Sequence, residues 1–94
     1  MKTTNETYKV RIYVSNVLEL YKMLESVANC LRKKINKGIE IDAQKLVNSS
    51  VIANIVREAN KYLQKYDDET LSTQARKESK EIISNIIIEM ANEF

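Results

Sequence analysis

The chain has 94 residues, 44% of them apolar and 30% charged, and fifteen Lys and Arg against thirteen Asp and Glu leave a net charge of +2. That composition excludes a disordered chain, exerts no strong global pull on nucleic acid or anionic lipid, and at this length implies one domain, 1–94, with a modest core. With no histidine, one cysteine (Cys30), one glycine (Gly38) and no proline, it also excludes an internal disulfide, the usual kind of zinc site and a glycine-rich phosphate loop.

Glycine and proline are the usual punctuation between elements, so a chain with one such mark favours long helices. From about Thr4 to Asn36, Val10, Tyr13, Val17, Leu20, Leu24, Val27 and Leu31 recur at alternating spacings of three and four. This is the pattern of an amphipathic helix, and Leu18, Tyr21, Ala28 and Ile35 widen its apolar stripe. Thr3-Thr4-Asn5-Glu6 fits a capping box. Arg32, Lys33, Lys34 and Lys37 gather at the far end, where the helix dipole favours cations, and Gly38 stands where a left-handed residue closes a helix. An alternative is open at Tyr8–Val14, which also alternates with period two and is rich in β-branched residues. That reads as a short N-terminal strand, with Ser15 capping a shorter helix. The resulting strand–helix–helix order is that of the ribbon-helix-helix repressors, but the helix that follows is too long for that family.

The second segment runs from Asp42 to about Tyr66. Asp42 is a good N-cap, and Ile41 and Leu46 sit at the positions of a hydrophobic staple. Val47, Ile52, Ile55, Val56, Ala59, Tyr62, Leu63 and Tyr66 form the apolar face. Asn48-Ser49-Ser50 is a weak spot, because short polar side chains compete with the backbone for hydrogen bonds; a local bend is expected there. After a turn at Asp67–Leu71, Ser72 caps a third helix running to about Asn92, with Ala75, Ser79, Ile82, Ile83, Ile86 and Met90 on its core face. The turns are short, so consecutive helices are expected to pack antiparallel. The fold expected is all-α: a three-helix antiparallel bundle over 5–36, 42–66 and 72–92, with a long first helix.

No catalytic constellation stands out, and the absence of histidine removes the commonest general base, so an enzyme is not expected and no cofactor, metal or small-molecule ligand is assigned. Asp67-Asp68-Glu69 reads as a solvated turn whose charge favours the next helix start. Cys30 reads as a small buried or half-buried thiol. Asn5-Glu6-Thr7 and Asn48-Ser49-Ser50 match glycosylation triplets, but the first six residues lack an apolar signal core, so a cytoplasmic location is expected. No apolar run is long enough to span a membrane. Arg57, Lys61 and Lys65, spaced i, i+4, i+8 on one helix face with Asn54, Asn60 and Gln64 beside them, are the candidate nucleic-acid face; a solvated helix face is the simpler reading of them and the one preferred.

Ile86-Ile87-Ile88 cannot all face one core, and Ile87, Ile88 and Ala91 suggest a second apolar strip. A continuous first helix of about 30 residues is about 45 Å long, so Val10, Ile12, Tyr13 and Val14 would overhang shorter neighbours. These two groups are the candidate subunit contacts. The function expected is a non-enzymatic interaction or assembly module, self-associating as a dimer; the alternative is a small DNA-binding regulator.

Overall fold

The computed structural model describes residues 5–93. Among them 84% are helical and none is in a strand. Five helices follow in order: α1 (Asn5–Asn16), α2 (Leu18–Asn36), α3 (Ala43–Val47), α4 (Ser50–Asp67) and α5 (Thr73–Glu93). The strand considered for Tyr8–Val14 is therefore not formed. Those residues lie in α1, which buries Thr7, Val10 and Val14 at helical spacing and so has no need of a strand partner.

The long first helix is broken at Val17, whose backbone is extended at φ −89° and ψ 115°. Neither glycine nor proline causes this. The Ser15 hydroxyl donates to the Arg11 carbonyl at 2.9 Å and the Asn16 amide to the Ile12 carbonyl at 3.0 Å; such back-bonding weakens and bends a helix. Extended backbone also suits a β-branched valine. Three distant ties then hold α1 in its new direction. The Thr7 hydroxyl lies 3.4 Å from the Ala75 carbonyl and 3.3 Å from Glu78 Oε1. Lys9 pairs with Glu69, and the Tyr13 hydroxyl donates to Asp67.

The end of α2 follows the expectation for Gly38. Its φ is +79°, the Ile39 N–H donates to the Lys34 carbonyl at 2.9 Å and the Gly38 N–H to the Ile35 carbonyl at 3.0 Å, which is the Schellman pattern. Asp42 caps α3 by accepting from the Gln44 and Lys45 N–H groups at 3.1 and 3.2 Å. The bend expected at Asn48–Ser50 is instead a full break. Ser49 Oγ donates to the Leu46 carbonyl at 2.7 Å and accepts from the Ile52 N–H at 3.4 Å, so one hydroxyl ends α3 and starts α4. Asp68 closes α4 in the left-handed region at φ 52°. Ser72 Oγ accepts from the Ala75 N–H at 3.1 Å and caps α5, as its position predicts. Thr3, which opens the capping box expected for α1, lies outside the described residues.

The fifth helix touches each of the other four, and this explains the Ile86–Ile88 run. Ala75, Ser79, Ile83, Ile87 and Ala91 are all 0% exposed, while Ile82, Ile86 and Ile88 are half-buried. The face centre is thus displaced from the Ala75–Ile82–Ile86 line read from the sequence. A helix enclosed on several sides buries more than one stripe. Leu20 and Leu24 of α2 and Ile52, Ile55 and Leu63 of α4 complete the centre of the core.

Candidate functional site

The residues expected to contact another subunit divide sharply. Val10 and Val14 are 0% exposed, as are Ile87 and Ala91. All four are covered by the chain's own helices, so neither the overhang nor the second strip exists as a surface. The break at Val17 removes the overhang, and the central position of α5 covers the strip. Ile88 and Tyr13 are half-buried, and only Ile12 is exposed, at 41%. The exposed apolar residues of this end are instead Tyr8 and Ile12 on one face of α1, and Leu18 and Tyr21 on one face of α2, which flank the break. Spacing alone assigns Leu18 and Tyr21 to the buried stripe; the bend turns them outward.

Arg57, Lys61 and Lys65 are all exposed along α4. Their charges are partly engaged: Arg57 donates to the Asn54 amide oxygen, Lys61 lies 3.1 Å from Glu58 Oε1, and the Lys65 ammonium sits 5.2 Å from the centre of the Tyr66 ring. Asn60 is not part of this surface. It is 6% exposed, and its Oδ1 accepts from the Leu71 N–H at 2.9 Å, tying α4 to the turn before α5.

Beside the stripe, Tyr13, Tyr62 and Tyr66 form a ladder with successive ring centroids 6.2 Å apart. The hydrogen bond from Tyr13 to Asp67, reinforced by burial, pushes the Tyr13 phenol up to about 12. The Tyr62 hydroxyl donates to Glu19 at 3.1 Å, and that bond raises its pKa as well. The acidic turn is accordingly occupied, with Asp67 on Tyr13 and Glu69 on Lys9. Among the described residues no group of three or more Cys, Asp or Glu is placed to hold a metal ion.

A groove of about 550 Å³ lies between the C-terminal half of α2 and residues 39–51. Val27 and Leu31 of α2 and Ile41 and Leu46 on the opposite side form its apolar walls, with the exposed Ile39 and Val51 at its edges. Cys30, expected to be buried or half-buried, is exposed and lines the groove. Sequence reasoning missed this feature. Its one visible signal is Ile39-Glu40-Ile41, two isoleucines outside any helix directly after the glycine stop.

No helix among the described residues is long and apolar enough to cross a membrane. Compared with family models, curated proteins and solved structures, the chain matches none of them.

Proposed function

We propose that this chain is a non-enzymatic interaction module that associates with a second copy of itself. The observation that supports this reading most is the outward display of Tyr8, Ile12, Leu18 and Tyr21, with exposures of 61, 41, 64 and 39%, around the α1–α2 break. Single exposed apolar residues are ordinary on a monomer. Four large ones flanking one break add up to apolar area that a two-fold partner covers at about 25 cal/mol per Å². The basic face of α4 supports a nucleic-acid role less well, because Lys61 is paired with Glu58, Arg57 is held by Asn54 and Asn60 is buried.

Sedimentation equilibrium tests the reading. At tens of micromolar the wild-type chain is expected to exceed its 10.9 kDa monomer mass. Ile12→Glu with Leu18→Glu should return it to the monomer with its helix content intact, since neither side chain lies in the core. A wild-type monomer across that range would remove the reading.

A further inference from the structure

The joint at Val17 departs from the helix at a single residue. The Val17 N–H still donates to the Tyr13 carbonyl at 2.8 Å, and the Tyr21 N–H to the Val17 carbonyl at 2.9 Å, so the helical ladder reaches the joint from both sides. Turning the Val17 ψ from 115° to its helical value joins the two helices. The bend has a cost. The first N–H groups of α2 find no partner within that helix, and Val17 offers them no side-chain cap.

The sequence carries a register that a straight helix would use. Thr7, Val10, Val14, Val17, Tyr21, Leu24, Ala28 and Leu31 follow one another at alternating steps of three and four, straight through the joint. This is the seven-residue repeat of one continuous helix packed on its neighbours. Two helices parted by a bend have no reason to share it. In the bent chain all of these residues are buried or half-buried except Tyr21, just past the break. The structure also shows what receives α1. It packs against α2, α4 and α5, and its ties through Thr7, Lys9 and Tyr13 end on Ala75, Glu78, Glu69 and Asp67. Those residues lie in α5, at the end of α4 or in the turn between them. A one-residue joint brings α1 to this site in its own chain only when bent. With the joint straight, the same site in a second copy takes it.

We propose that two copies associate by exchanging α1. Val17 becomes helical, residues 5–36 form one helix about 48 Å long, and each α1 seats on the other copy through the contacts that it makes in the monomer. Exchange of an identical element costs little, because those contacts are regained. The two long helices cross at the joint, where Leu18 and Tyr21 of each copy are covered. This rests on the reading of the chain as self-associating and names the form that the dimer takes.

Isotope-filtered NMR tests it. Labelled and unlabelled chains are unfolded together in urea and refolded as a mixture. The rings of Tyr13 and Tyr62 are neighbours, with centroids 6.2 Å apart, and exchange turns that contact into one between copies. Cross-peaks from labelled Tyr13 to unlabelled Tyr62 are expected. Sedimentation of joint variants gives a second readout. Leu18→Pro should fix the bend, since proline suits the first position of a helix and keeps the residue before it extended. It is expected to stay folded and to weaken the dimer at least about a hundredfold, whereas Leu18→Ala should weaken it by less than about tenfold. Val17→Leu keeps an apolar side chain but drops the β-branching that suits extended backbone, and should tighten the dimer by about threefold.

A dimer in which Tyr13 contacts Tyr62 of its own copy alone would overturn the exchange and leave self-association through the outward residues standing. Equal dissociation constants for Leu18→Pro and Leu18→Ala would overturn it as well. A wild-type monomer at tens of micromolar would remove self-association and the exchange together.

Discussion

The joints at the two ends of α2 are built on opposite principles. At Gly38 the stop is local: a glycine at φ +79° and two backbone hydrogen bonds to the preceding turn close the helix. At Val17 no residue demands a stop, and the local contributions are two back-bonded side chains, Ser15 and Asn16. What fixes that joint lies far away in sequence, at Glu69, Asp67, Ala75 and Glu78, together with the core that receives Val10 and Val14. A helix can therefore end because its own residues forbid another turn, or because folding back covers more surface than continuing.

The sharpest way to break this comparison is to remove the reason for folding back. Val14 is 0% exposed, and Val14→Asp places an unpaired carboxylate where α1 meets the core. The expected loss is about 4 kcal/mol or more, against a total stability of about 5–14 kcal/mol for a chain of this length. Urea denaturation followed by circular dichroism should show a large fall in midpoint or no folded protein. A loss below about 1 kcal/mol would mean that α1 is not anchored through Val14 and that the Val17 joint has another origin.

The Gly38 joint should respond less. No atom lies within 4 Å of where a Cβ at Gly38 would sit, so the cost of a side chain there is backbone strain alone. Gly38→Val is expected to lose about 1–2 kcal/mol, and Gly38→Asn less, because asparagine tolerates the left-handed region. Equal urea midpoints for the wild-type chain and both variants would place the stop elsewhere.

This contrast also marks what the amino-acid sequence discloses. The caps at Asp42 and Ser72, the glycine stop, and most of the apolar stripes of α2 and α4 are legible, because each depends on residues within one or two turns. The Val17 break is not, since its chief causes stand more than about fifty residues away. Ser49 reads as part of a weak spot but not as a break: its hydroxyl serves two helices at once, a role that spacing alone does not reveal. The Ile86–Ile88 run is visibly too apolar for one face. Its explanation, enclosure of α5 by all four other helices, requires the tertiary arrangement. The groove is invisible for the same reason, because Val27 and Leu31 acquire opposite walls only after the chain turns at Gly38.

The finest test reaches the Val17 joint through a single proton. Tyr13 lies in the last turn of α1 and donates to Asp67 at the end of α4. Its phenol keeps its proton up to about 12 in the folded chain, against the ordinary 10. A raised native pKa means that the folded state binds this proton more tightly. The stabilisation from Tyr13 is therefore complete below pH 10 and is lost as the pH rises through the window from 10 to about 12. Tyr13→Phe keeps the ring against Tyr62 but lacks the donor at every pH. At about pH 8 the variant should be the less stable by about 1 kcal/mol, the scale of one hydrogen bond at a half-exposed site. Between pH 10 and about 12 the urea midpoints of the two proteins should converge. Tyr62 retains its bond to Glu19 in both, so its own upward shift cancels from the difference. A gap that persists unchanged at the top of that window would show that the Tyr13 hydroxyl does not fasten α1 to α4, leaving Lys9 and Thr7 to hold the joint.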